Sequence, residues 1–205
     1  MEITIPLLFV LTVFCNFRAV IKLLIDWKGM LTTCRFVREA YAQIHSLPEE
    51  AELERDERAP IFLHLVPAWE EPEILGTLRA LLASRYPHGK LSVVVVPKEE
   101  EERSPHPARG ISTGELVRRF MVELPPYQQK MLVQIAMPGE GRKAHQLNWA
   151  LRPEMLQQIL GEGVDPGRVF VGVSDADSIP DPNVYAWIAR EEMAGRVARA
   201  YQGVS

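Results

Sequence analysis

Asp175 and Asp177 stand one residue apart, where the apolar run Val169-Phe170-Val171-Gly172-Val173 gives way to Ser174-Asp175-Ala176-Asp177-Ser178. Two carboxylates at that spacing offer hard oxygen donors to a divalent cation, and a cation held there can carry phosphate oxygens. The β-branched and aromatic run before them reads as a buried strand, so the pair lies where a strand ends and a loop begins. In an open parallel sheet that edge is where ligands bind. An Asp-x-Asp run is equally at home in a solvated turn, and Ile179-Pro180-Asp181-Pro182-Asn183 just after it has turn composition. The residues upstream are what favour chemistry over a plain turn.

Those residues sit on alternating strands and helices. Ile61 to Val66 reads as a strand, Pro67-Ala68-Trp69-Glu70-Glu71-Pro72 as a loop, and Ile74, Leu75, Leu78, Leu81 and Leu82 fall at helical spacing. Pro72 occupies an early position where a missing N–H costs no helical hydrogen bond. The valine run of residues 91–96 predicts a strand buried on both faces. Residues 113–124 predict a helix with Leu116, Val117, Phe120 and Met121 inward, and residues 131–136 a third strand. Arg142 to Leu151 reads as a loop entering a helix, residues 169–174 as the fourth strand, 183–192 as a helix and 197–202 as a fifth short strand. Glu99 to Glu102 has the composition of a solvated face, and His64 lies inside the first strand as a structural histidine.

Right-handed connections between parallel strands gather the loops after Val66, Val96, Ala136 and Ser174 on one edge. Glu70, Glu71, Lys98, Lys143, Asp175 and Asp177 are thereby drawn towards one crevice, mixing cation-binding acid with phosphate-pairing base. The sequence has neither a Walker-type Gly-x-x-x-x-Gly-Lys-Ser/Thr nor a Gly-x-Gly-x-x-Gly, so a nucleotide would have to bind through a metal.

The 205 residues suit one α/β domain, and a net charge of −4 gives no footing for nucleic acid. Cys15 and Cys34 have no metal-ligand spacing and imply no disulfide framework. Residues 3–17 are almost continuously apolar, broken only by Thr4, Pro6, Thr12 and Asn16. Extension through Ile25, with Arg18 and Lys22 snorkelling, reaches the roughly 20 residues a membrane-spanning helix needs. A cleaved signal peptide fits less well, because no basic segment precedes the run, and a buried core helix is the remaining rival. Glu2 precedes the run while Arg18, Lys22, Lys28, Arg35 and Arg38 follow it, which predicts a single anchor with the soluble domain on the cytoplasmic side. Residues 32–45 offer an amphipathic continuation, with Phe36, Val37 and Tyr41 against Arg35, Arg38 and Glu39. The expected division is a membrane segment and juxtamembrane helix over 1–45, a charged linker over 46–59 with little to bury, and the soluble domain over 60–205.

Three motifs in order, Leu65-Val66-Pro67-Ala68-Trp69-Glu70-Glu71-Pro72, Lys143-Ala144-His145-Gln146-Leu147-Asn148 and Val173-Ser174-Asp175-Ala176-Asp177-Ser178, resemble the donor-binding half of membrane-bound family 2 glycosyltransferases. The resemblance covers about residues 60–205 and implies a Rossmann-like GT-A nucleotide-sugar-binding sheet, incomplete here and preceded by the N-terminal membrane helix. It implies that Asp177 coordinates Mn²⁺ or Mg²⁺, and that Asp175 contacts the ribose or shares the metal. Pro67, Ala68 and Glu70 would border the base, Lys143 would lie near base and phosphates, and Asn148 follows at the family's usual distance. The implied partner is a nucleotide-diphosphate sugar, a UDP-sugar by preference.

Two departures qualify the match. The acid that reads the base after the second strand is replaced by Pro97-Lys98-Glu99, leaving Glu99 as its substitute. The family's catalytic base and Gln-x-x-Arg-Trp belong beyond the Asp-x-Asp, whereas the sequence given ends at Ser205. An inverting transfer needs that base to take the acceptor proton. The expectation is a chain that binds donor better than it transfers sugar, with a partner chain or a missing C-terminal half supplying the acceptor site. Rival classes are a non-catalytic donor-binding or interaction module, and a metal-dependent phosphohydrolase with Asp175 as nucleophile, which would need lysine and acidic motifs further on.

Overall fold

Runs such as Leu91-Ser92-Val93-Val94-Val95-Val96 leave neither strand face fit for water, so they must lie inside a sheet covered on both sides. The computed structural model, which describes residues 4–42, 46–104, 110–161 and 163–196 and the side chains of all these except 4–16, 36, 40, 41 and 166, places them so. It divides into two units, Met1–Ser46 and Leu47–Ser205.

In the second unit, β1 (Ile61–Pro67), β2 (Leu91–Val96), β3 (Leu132–Gln134) and β4 (Val169–Val173) form one parallel sheet in the order β3-β2-β1-β4. Alternate residues serve opposite layers. Phe62 and Val66 of β1, with Val93 and Val95 of β2, pack towards Leu78 and Leu81, Val117 and Phe120, and Tyr185 and Ala189. Those partners belong to helices Ile74–Leu82, Thr113–Glu123 and Val184–Met193. On the other face Leu63, Leu65, Val94 and Val96 meet Leu147 and Ala150 of helix Lys143–Ala150, and Leu156 and Ile159 of helix Pro153–Leu160. Each fully buried aliphatic side chain contributes about 1.5–3 kcal/mol relative to exposure. The result is the helix-sheet-helix layering of a Rossmann-like α/β fold. The expected fifth strand at 197–202 lies outside the described residues.

Two expectations change. The charged stretch around residue 50 does bury something: it forms helix Glu50–Arg55, whose Leu53 is fully buried. Lys90 Nζ donates to the Leu53 and Asp56 carbonyls at 2.7 and 2.8 Å, satisfying acceptors at the helix end. The glutamate run forms helix Glu99–Arg103 and is not wholly solvated, because Glu101 is buried.

The first unit carries one continuous helix, Thr4–Ala42. Among the described residues no helix is long and apolar enough to cross a membrane, so the expected membrane helix gains no support there; the side chains of residues 1–16, most of the apolar run, lie outside the description. Phe17, Leu23, Leu24, Ile25 and Trp27 are all exposed. Of the expected amphipathic continuation, the Phe36 and Tyr41 side chains and residues 43–45 lie outside the described set.

His64 is buried between strand and helix. Its Nε2 lies 2.9 Å from Ser174 Oγ and its Nδ1 2.8 Å from the Tyr185 hydroxyl, which satisfies a neutral ring as a structural histidine requires. Gly172 faces it across the β1–β4 ladder, and a Cβ at that position would come within 2.5 Å of His64 Nδ1. Burial pushes the His64 pKa down from 6.5 to about 4. The unfolded chain therefore takes a proton that the folded chain refuses, and stability falls as pH drops through that interval. Between pH 7 and pH 5 urea unfolding should show a loss of about 2 kcal/mol. That loss should be absent in His64→Gln, since the carboxylates held low by arginines, Asp56, Glu115 and Glu191, titrate below this window.

Candidate functional site

Chain connections leave β1 in opposite senses: the path to β2 goes to one side, while β4 pairs on the other. At such a switch point the loops diverge and leave a crevice beyond the carboxyl ends of the strands. A cavity of about 380 Å³ opens there. Pro67, Trp69 and Glu71 form its β1 wall, Lys98 stands after β2, Arg142, Lys143 and Gln146 come from the start of helix Lys143–Ala150, and Asp175 and Asp177 follow β4.

The Asp-Ala-Asp loop is held from behind. Ser174 N–H donates to the Leu65 carbonyl at 3.2 Å, and Ser178 N–H closes the turn onto the Asp175 carbonyl at 3.1 Å. The buried Thr77 hydroxyl donates to the Ala176 carbonyl at 2.7 Å. Ala176 is thereby tucked inward, 3% exposed, while the carboxyl-bearing residues on either side stay exposed. Lys143 Nζ pairs with Asp175 Oδ1. With both side chains about half exposed, that pair adds little to stability. Its consequence is positional: a lysine from the start of helix Lys143–Ala150 and a carboxylate from the loop after β4 share the same corner.

Two further contacts shape the walls. Lys98 Nζ lies 3.8 Å from the centre of the Trp69 ring, a cation–π contact that keeps the ammonium at the cavity's edge. Gln146, 2% exposed, donates through Nε2 to the Ala68 carbonyl at 2.8 Å and the Val96 carbonyl at 2.6 Å. One side-chain amide thus ties the helix that carries Lys143 to the ends of both β1 and β2. The helix start is itself tightly built: His145 Nδ1 accepts from the Arg142 N–H at 3.1 Å. A Cβ on Gly141 would stand 2.8 Å from His145 Cβ, so close approach requires glycine there.

Of the residues singled out from sequence, Pro67, Glu71, Lys98, Lys143, Asp175 and Asp177 line the cavity, and Trp69 stands in its wall rather than in the core. Ala68 is buried behind that wall and contributes its carbonyl to Gln146. Glu70 and Asn148 are not among the lining residues. Glu70 has φ 55°, a positive value unique among the described non-glycine residues. Glu99, the substitute base-reading acid, pairs with Arg103 at 3.0 Å. Arg142, Gln146 and Thr77 also serve the site, with no role assigned to them by the sequence motifs. Gln146 is one helical turn from Lys143, a spacing that places both on one side of the helix, and that was the available signal.

No family model, curated protein or solved structure matches the chain. What the cavity can bind follows from its own chemistry. Among the described residues no group of three or more His, Cys, Asp or Glu could hold a metal ion. The Asp175 and Asp177 carboxylates supply two hard donors, which suits a cation that arrives with phosphate oxygens rather than one caged by protein alone. Lys98, Arg142 and Lys143 supply positive charge on the adjoining walls. Gln146→Leu removes both carbonyl contacts and should destabilise the domain by about 1–3 kcal/mol in urea unfolding, and Gln146→Glu, which sets oxygen against oxygen, by more.

Proposed function

We propose that this chain is a donor-binding domain akin to the family 2 glycosyltransferases of GT-A fold, taking a nucleotide-diphosphate sugar, a UDP-sugar first, together with Mn²⁺ or Mg²⁺. The observation that carries the proposal is the meeting of Asp175 and Asp177 with Lys98, Arg142 and Lys143 around one cavity at the switch point of the sheet. A diphosphate needs both partners: cationic side chains for its outer oxygens, and carboxylates to hold a cation between it and the protein. The volume, about 380 Å³, lies in the range of small-molecule sites, roughly 300–1,000 Å³.

In this reading Asp177 holds the cation and Asp175 shares it or contacts the ribose. Lys143, drawn off Asp175, pairs with phosphate. Pro67 borders the base with Ala68 buried behind it, Glu70 shapes the turn between Trp69 and Glu71, and Trp69 offers the base an apolar wall. When bound, the cation neutralises charge on the departing diphosphate. Inverting sugar transfer would further require an acceptor site and a base that takes the acceptor proton, which a partner chain would present. Attachment to a membrane through the N-terminal helix is part of the same proposal. It is supported by the exposed Phe17, Leu23, Leu24, Ile25 and Trp27 and by the basic residues after the apolar run, the charge bias expected of a cytoplasmic flank. Flotation of the chain with liposomes checks it; a chain left in the lipid-free fraction would count against it.

Calorimetric titration of UDP into the detergent-purified chain tests the donor site. Binding should require Mn²⁺ and weaken at least about tenfold in Asp177→Ala, the equivalent of about 1.4 kcal/mol. A folded chain that takes up neither UDP nor GDP with Mn²⁺ present would refute the proposal.

A further inference from the structure

Among four consecutive glutamates, 99–102, Glu101 is the buried one, at 2% exposure. Burying a carboxylate is costly unless its oxygens are occupied. Oε1 accepts twice from Thr113, from its backbone N–H at 2.6 Å and its hydroxyl at 2.7 Å, while Oε2 is buried with no hydrogen-bond partner among the described residues. A missing helix cap does not account for this. The helix Thr113–Glu123 is already capped by Ser112, whose Oγ accepts from the Glu115 N–H at 3.1 Å.

The consequence appears on the far side of Thr113. Its hydroxyl proton is committed to Glu101, so its lone pairs are left to accept, and they accept from the Glu71 N–H at 3.0 Å. That N–H belongs to the peptide joining Glu71 to Glu70, the residue at φ 55°. The left-handed conformation is strained for a non-glycine residue and persists only where neighbours hold it. Glu71 and Trp69, on either side of Glu70, both line the cavity.

We propose that Glu101 and Thr113 are positioning residues: a buried carboxylate-hydroxyl-amide chain that braces the Trp69-Glu70-Glu71 turn as one wall of the cavity. The ligand assigned to that wall rests on the nucleotide-sugar reading above; the brace does not.

Hydrogen exchange and UDP titration with Mn²⁺, made on the full chain and its variants, separate the two. Thr113→Val keeps the shape and removes the hydroxyl. It should speed exchange of the Glu71 amide on the order of tenfold while the β1 and β2 amides keep their protection, and should weaken UDP·Mn²⁺ binding by a similar factor. Thr113→Ser, which restores a hydroxyl, should recover both, and Glu101→Gln, which keeps an acceptor oxygen without the charge, should fall between. Unchanged Glu71 exchange in Thr113→Val would overturn the brace. So would Thr113→Ser proving as impaired as Thr113→Val, and so would loss of protection spread evenly through the sheet. The expected exchange pattern in a chain that binds no UDP would uphold the brace and remove the nucleotide.

Discussion

The pairing of β1 with β4 determines the cavity, because it sets the loop after Pro67 beside the loop after Val173. Leu65 is opposite Val173 and His64 opposite Gly172. The register is enforced by shape: the imidazole leaves no space for a Cβ at its partner position, and β4 has one glycine. A slip by one residue would set Val171 or Val173 against the ring and turn every β4 side chain to the other layer. His64 then closes the arrangement by bonding to Ser174, the residue immediately before Asp175, and to Tyr185 on the helix beyond. A buried neutral histidine, a glycine and two hydroxyls therefore locate the first carboxylate of the Asp-Ala-Asp loop.

The same economy recurs along the carboxyl edge of the sheet. Thr77 holds Ala176, Gln146 holds the ends of β1 and β2, and Glu101 acts through Thr113 on Glu71, each with a buried polar side chain. Buried polar groups are demanding, since each must find a partner of the right geometry, and for that reason they fix loops more specifically than apolar contacts do. The apolar layers make the sheet stable. The polar contacts decide where its loops end, and hence that acid from β4 and base from β2 and helix Lys143–Ala150 face one another across about 380 Å³. A diphosphate with its cation needs that apposition held in advance, because every group ordered only on binding would subtract from affinity.

The sheet was legible because its strands are predominantly apolar runs, and a parallel sheet follows from alternating strands and helices with little freedom left. The convergence of Lys98, Lys143, Asp175 and Asp177 could be read the same way, since each ends a strand or opens a helix at one edge. The partners buried beneath them were not legible. Four glutamates in a row carry no periodicity to say that Glu101 turns inward, and what buries it is Thr113, twelve residues away. Leu53 is the one large apolar residue of helix Glu50–Arg55, and its burial depends on the core cluster it joins rather than on its own segment. The motif implies a Glu70 side chain at the base, whereas the residue's distinguishing feature is its backbone, φ 55°, which no composition rule indicates for glutamate.

The most direct measurement is anomalous scattering from crystals grown with UDP and Mn²⁺. If the cavity is a metal-dependent donor site, one manganese peak lies against the Asp175 and Asp177 carboxylates, with the diphosphate between it and Lys143 and the uracil along the Trp69 wall. Manganese bound elsewhere, or UDP seated with its phosphates away from the Asp-Ala-Asp loop, would contradict it.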